Sequence, residues 1–260
     1  MCTVCGCGET GSHGAHHHHY GLGPAGVSIA DFSQARIVSI EQDVLSKNND
    51  HARKNREWLE RRGILALNLV SSPGSGKTSL LERTLGGLKN EMSLAVIEGD
   101  QQTSHDAERI RATGVPALQI NTGKGCHLEA HQIGRALLAL NLADQSLLFI
   151  ENVGNLVCPA LFELGEAGKV VILSVTEGED KPLKYPDMFH QATLVILNKV
   201  DLLPYLTFDV ERCMGYLRQV NQNVPVIRMS ATTGEGMQVW YDWLRDRVCK
   251  ERQKRVHQVG

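Results

Sequence analysis

No stretch of this chain approaches the ~18 consecutive apolar residues that a membrane span requires. The N-terminus has no basic segment leading into an apolar core, so it does not read as a secretory signal. A cytoplasmic protein is therefore expected. Charge of one sign is missing too: the net charge is −2 over 260 residues. Neither a nucleic acid nor an anionic membrane surface is offered a partner by that balance. One basic run, KERQKR at 250–255, has the pattern of a solvated helix terminus. No internal repeat stands out. In a reducing compartment, seven cysteines point to metal or catalysis rather than disulfides, and the odd count agrees.

What is there is ordinary globular composition, 42% hydrophobic and 22% charged, with length enough for one sizeable α/β core. Residues 1–38 are rich in Gly and His and lack periodicity, which predicts a flexible N-terminal tail. Residues 39–260 read as one domain. From Ile40, IEQDVLSKNNDHARKNREWLERRG has the spacing of an amphipathic helix stopping at Gly63. Seven apolar runs of strand length follow, at 64–70, 94–98, 116–120, 147–151, 169–175, 194–198 and 224–229. Continuous apolar strands alternating with helices predict a mostly parallel seven-stranded sheet covered on both faces.

The first run leads into Ser71-Ser72-Pro73-Gly74-Ser75-Gly76-Lys77-Thr78-Ser79. This is the P-loop pattern with Ser71 in place of its first glycine. Small residues let backbone N–H groups curl around phosphate at a helix N-terminus, Lys77 reaches the β/γ oxygens, and Thr78 offers a hydroxyl to Mg²⁺. A later strand ends in Asn198-Lys199-Val200-Asp201, an N-K-x-D box. Asp201 can accept two hydrogen bonds from guanine, which adenine cannot donate, so GTP is the expected nucleotide. Asn198 is expected to tie the base loop to the P-loop, and Lys199 to lie over the base. Ser230-Ala231 would supply a backbone N–H to the guanine carbonyl. Asp100 and Glu151, at two further strand ends, are the expected Mg²⁺ acids, and Gly154 the γ-phosphate sensor. No glutamine is evidently placed to orient water, which predicts slow hydrolysis.

Soft metal ligands occur twice. Cys126, His127 and His131 lie in NTGKGCHLEAH, which reads as a loop entering a helix, so that His127 and His131 are expected to share a face; Cys158 follows Glu151 on the segment expected to act as the switch. Thiolate and imidazole suit Ni²⁺ and Zn²⁺. At the chain start, Cys2, Cys5 and Cys7 are close enough for one ion to take all three sulfurs, with the terminal amine as a fourth donor. Histidines at 13 and 16–19 add weaker capacity, for which nickel storage is an alternative reading. Cys213 and Cys249 fall in helical patterns without partners.

Together, MCTVCGCG, NLVSSPGSGKT, VIEGDQQT, NTGKGCH, IENVGNLVCPA, SVTEGEDKPLKYP and NKVDLLPY resemble the hydrogenase nickel-incorporation GTPases of the HypB family. The resemblance implies a P-loop NTPase of the SIMIBI type, and a cytosolic GTPase delivering Ni(II) to the large-subunit precursor of [NiFe]-hydrogenase. It further implies a HypA-family chaperone partner and GTP-dependent homodimerisation, with Lys181 near the shared face. The family's tight nickel site matches Cys2, Cys5 and Cys7. Its inner nickel or zinc site matches Cys126, His127 and Cys158, with His131 a weaker correspondence. A urease-type nickel GTPase is the nearest alternative, and the CxxCGC start speaks against it.

Overall fold

The structure, a computed structural model, describes residues 34–101 and 105–259. The expected opening helix, α1 (Gln34–Arg61), begins at Gln34 rather than Ile40. Its end is the expected one. Gly63 takes φ +62, its N–H donates to Glu60 O at 2.9 Å, and Ile64 N–H donates to Leu59 O at 2.9 Å. That pair of bonds is the Schellman stop, which a glycine in the left-handed region makes without steric cost.

All seven expected strands form: β1 (Leu65–Ser71), β2 (Leu94–Asp100), β3 (Ala117–Asn121), β4 (Leu147–Glu151), β5 (Gly168–Ser174), β6 (Ala192–Asn198) and β7 (Val226–Arg228). They make one sheet in the order β3-β2-β4-β1-β5-β6-β7, with every pairing parallel. Parallel neighbours need crossovers. These are built from α2 (Lys77–Leu88), α3 (His105–Ala112), α4 (Ala130–Ala139), the short α5 (Cys158–Leu161), α6 (Lys181–Lys184) and α7 (Pro186–Gln191), and then α8 (Val210–Val220). The long α9 (Met237–Val259) closes the domain.

Strand alternation divides the core. On one face Leu65, Leu67 and Leu69 pack with Leu81 and Leu85 of α2 and with Trp240 and Leu244 of α9. On the other, Ala66 joins Leu59 of α1 and Ile133 and Leu137 of α4. On that same face Val70 joins Phe189 of α7 and Leu217 of α8. Each fully buried Leu or Phe contributes about 1.5–3 kcal/mol of transfer free energy. β1, β4 and β5 are buried at every position, which is why they read as mostly apolar runs.

Function is placed by the strand order. The chain leaves β1 toward one side of the sheet and returns to the other, so a crevice opens beyond the strands' carboxyl ends. The register puts Glu151 beside Leu69 of β1 and beside Glu98 of β2. Among the described residues, no helix is long and apolar enough to cross a membrane.

Candidate functional site

β1 stops at Ser71, which is buried and whose hydroxyl donates to Ser72 O at 2.8 Å. The following turn runs through Gly74 (φ +74) and Gly76 (φ +91) into α2. Gly76 is required twice over. Its φ is left-handed, and a Cβ there would sit 2.6 Å from Asn198 Nδ2. The loop walls a cleft of about 630 Å³, together with residues 98–101, Asp106, Arg109, Cys126, Glu151, residues 153–155 and Lys199. Pro73, Ser75 and Ser79 line the same cleft, and Ser79 Oγ accepts from Arg109 at 3.3 Å.

Inside it, Lys77 Nζ lies 3.1 Å from Glu151 Oε1. Thr78 Oγ1 donates to that same oxygen at 2.6 Å and lies 3.1 Å from Asp106 Oδ2. Asp100 lines the cleft and accepts the Gln101 N–H at 2.6 Å. Two acids that the motif reading omitted join these, Asp106 and Glu98. Glu98 is 2% exposed. Burial pushes its carboxyl up to about 8, helped by the negative charge of Glu151, Asp100 and Asp106 and opposed by Lys77. Oxygens of Glu98 and Glu151 are buried without a hydrogen-bond partner. Orphaned carboxylate oxygens beside a threonine hydroxyl are the hard donors that a Mg²⁺ ion takes. The available signal for Glu98 was its period-2 spacing from Asp100 on β2. A glutamine is also present in the wall: Gln101, whose amide donates to Gly125 O at 3.2 Å.

Asn198 joins three segments. Its Nδ2 donates to Ser75 O at 2.9 Å, and its Oδ1 accepts the Ala231 N–H at 3.1 Å. That Ala231 amide is thus engaged by Asn198 rather than open to a base. Ser230, fully buried, accepts the Thr233 N–H on its hydroxyl at 3.0 Å. Lys199 sits at φ +64 and donates to Gly74 O at 2.7 Å, so its stem spans the P-loop. Asp201 lies in the first turn of the 3₁₀ helix Val200–Tyr205, and its Oδ1 is buried with no partner.

The expected switch segment leaves β4 at Glu151. Gly154 lies flush on the P-loop, where a Cβ would come within 3.1 Å of Pro73 Cα. Four residues on, Cys158 opens α5. Cys126 Sγ lies 2.9 Å from Cys158 Sγ and 3.6 Å from His127 Nδ1. Ligand atoms of Cys126, His127 and Cys158 all fall within 4.8 Å of one another, and all three residues are buried. Burial holds the His127 imidazole below its ordinary range, partly offset by the charge of Glu129, which favours the neutral form that binds metals. The ring packs against Phe162 with centroids 4.0 Å apart and planes tilted by 34°, and its Nε2 has no partner.

His131 does not join this trio. α4 begins only at Ala130, so His127 precedes the helix and the expected shared face does not form. His131 instead pairs with Glu129 at 3.2 Å and faces His51. Cys213 packs in the core, with burial pushing its thiol up to about 11. Cys249 is exposed. Lys181 pairs with Glu177 at 3.2 Å and lies 3.2 Å from Ser72 Oγ. Cys2, Cys5, Cys7 and the tail histidines lie outside the described residues.

Residues 65–228 match the family model described as CobW/HypB/UreG, nucleotide-binding domain. The chain is 57% identical to the hydrogenase maturation factor HypB of Azotobacter vinelandii, over 94% of this chain and 91% of that protein. It is 61% identical to that of Escherichia coli strain K12, over 89% and 80% respectively. HypB from Archaeoglobus fulgidus superposes with a TM-score of 0.73 at 42% identity, covering 78% of this chain and 99% of that one. HypB from Helicobacter pylori, solved in complex with nickel, superposes with a TM-score of 0.73 at 40% identity, covering 80% and 96%. The chain belongs to the HypB family of hydrogenase maturation factors, with a P-loop nucleotide-binding domain as its body.

Proposed function

We propose that this protein is a cytoplasmic, GTP-hydrolysing nickel metallochaperone. It carries Ni(II) on thiolate and imidazole ligands and assists its insertion into the large-subunit precursor of [NiFe]-hydrogenase. One observation carries the reading: Glu151, Gly154 and Cys158 share eight residues of backbone, and Cys126 of the same sulfur cluster lines the nucleotide cleft. A nucleotide that moves the first two must disturb the ligands.

The residues divide the work. Backbone amides of 74–78 and the Lys77 ammonium hold the phosphates and meet the charge that develops on them during transfer. Asp201 Oδ1 accepts the guanine donors. Lys199 covers the P-loop, and Asn198 keeps loop and base site in register. Thr78, Glu151 and Asp100, with Asp106 and Glu98 close by, would hold Mg²⁺, which when bound neutralises charge on the phosphate oxygens. When phosphate takes Lys77, Glu151 loses its cationic partner and keeps only the Thr78 hydroxyl, so the switch segment can shift toward the γ-phosphate at Gly154. Cys158 shifts with it. The nickel affinity of Cys126, His127 and Cys158 then differs between GTP and GDP states, and linkage makes the effect reciprocal. The same donors accept Zn²⁺. Cys2, Cys5 and Cys7 form the tighter outer nickel site, with the His-rich segment as added capacity. A GTP-dependent homodimer and a HypA-family chaperone complete the proposed pathway.

The test uses the full chain with Cys2, Cys5 and Cys7 replaced by Ala, so that thiolate-to-nickel absorbance reports the inner site. GTP and Mg²⁺ should discharge that band at the rate of phosphate release, and ATP should not. A band unchanged through complete hydrolysis, or discharged equally by ATP, would overturn the reading.

A further inference from the structure

The sulfur cluster is made from two separate segments. Cys158 belongs to the switch segment, whereas Cys126 and His127 sit on the loop between β3 and α4. A moving switch alters the cluster in a defined way only if something fixes how the second segment follows. Two asparagines of the switch do this. Asn152 is fully buried, and its Oδ1 accepts two N–H groups at once: that of Leu128 at 3.1 Å and that of its neighbour Val153 at 3.0 Å. Asn155 turns its Nδ2 to Cys126 O at 3.2 Å while its Oδ1 accepts the Val157 N–H at 2.8 Å. The two side chains therefore grip the backbone immediately before and immediately after His127.

Contacts alternate along the segment. Glu151 meets Lys77 and Thr78, Asn152 holds Leu128, Gly154 lies on Pro73, Asn155 holds Cys126, and Cys158 is itself a ligand. Neither asparagine is needed to carry a charge or bind an ion. What each supplies is a short, oriented bond between the two loops, additional to the Cys126–Cys158 contact, and the fully buried amide of Asn152 in particular is costly to leave unpaired.

The geometry points to Asn152 and Asn155 as the positioning residues that transmit nucleotide state to the metal loop. This inference rests on the proposed coupling of nucleotide to nickel and names the side chains responsible for it. Neither residue touches the metal. Each acts through the backbone that carries Cys126 and His127.

The experiment measures Ni(II) affinity of the full chain, with Cys2, Cys5 and Cys7 replaced by Ala, saturated with either GDP or a non-hydrolysable GTP analogue. The parent should show a ratio of affinities of about fivefold or more, as allosteric coupling typically does. Asn152→Ala and Asn155→Ala should each bring that ratio to within about twofold of unity. Asn221→Ala is the structural control. Asn221 Nδ2 donates to Phe189 O and His190 O, each at 3.0 Å, so its loss weakens the packing of α7 on α8 but touches neither clamp, and the ratio should persist. Should Asn152→Ala fail to fold, the half-buried Asn155 carries the comparison. A coupled parent whose ratio survives in Asn155→Ala and in any folded Asn152→Ala overturns this inference alone. A parent with no ratio overturns the functional reading and this inference with it.

Discussion

At Asp201 a single carboxylate oxygen lies buried with no protein partner, beside a lysine held in a left-handed conformation. Such an atom is satisfied by donors that a ligand brings. Asp201→Asn replaces one acceptor by a donor, so GTP affinity is expected to fall by about 10²-fold or more. A xanthine nucleotide, which carries an acceptor where guanine has its amino group, should bind the variant better than GTP does. Competition against a fluorescent guanine nucleotide reads both. Lys77→Ala should abolish hydrolysis while nickel binding through Cys2, Cys5 and Cys7 is retained, and Cys2→Ala should weaken that binding and leave hydrolysis in place. Phosphate release and equilibrium dialysis separate the two functions. Glu98 gives a third expectation. Its carboxyl is raised in the folded protein from 4.5 to about 8, so the folded state holds a proton that the unfolded chain has released. Stability of the nucleotide- and metal-free protein must then fall as pH rises through that range. His127, lowered by burial from 6.5, acts in the opposite sense as pH drops below 6.5. The window from pH 6.5 to 8 therefore isolates Glu98. Urea unfolding should show decreasing stability across it, and Glu98→Gln should flatten the slope. The P-loop and NKxD residues were legible because each motif is contiguous and its chemistry local. Glu98, Asp106, Gln101 and Asn152 were not, because their roles come from strand register and from loops that meet only after folding.

Elements position these residues through a few polar anchors. α1 holds both loops of the sulfur cluster from behind. Asn48 accepts the Ala130 N–H at 2.8 Å and donates to Glu163 O at 2.7 Å. Asn55 donates to Ala130 O at 2.7 Å and to Leu164 O at 2.9 Å. Ala130 follows His127 by three residues, and Leu164 follows Cys158 by six. Asn55→Ala orphans two buried carbonyls and should cost about 2 kcal/mol in denaturant unfolding. A loss under about 0.5 kcal/mol, ordinary for a surface change, would show the anchor to be dispensable. Gly76→Ala meets both a left-handed φ and Asn198 Nδ2, and should cost roughly 1–3 kcal/mol while displacing the amides that cradle phosphate. The central strands were readable because burial on both faces leaves a largely apolar run. The extra first turns of α1 were not, since residues 34–39 are not set apart by apolar spacing. His131 was misjudged for a related reason: i, i+4 spacing implies a shared face only where both residues are helical, and α4 starts between them.

For the whole molecule, the seven-stranded parallel order gathers two kinds of chemistry at one edge. The carboxyl ends of β1, β2 and β4 carry the P-loop, the acids and the switch, and the next turn of backbone carries the sulfurs. The order of strands follows from patterning only as far as "parallel and covered". That β4 lies between β1 and β2, so that Glu151 meets both Lys77 and Glu98, is a property of the assembled sheet. Coupling between the two ligands is the claim on which the account depends, and thermodynamics requires it to run in both directions. The most direct measurement is calorimetric titration of a non-hydrolysable GTP analogue into the Cys2, Cys5, Cys7→Ala chain, with and without Ni(II). Nickel should change the nucleotide affinity by the same factor by which the analogue changes nickel affinity relative to nucleotide-free protein. Nucleotide affinities that are identical with and without nickel at Cys126, His127 and Cys158 would contradict it.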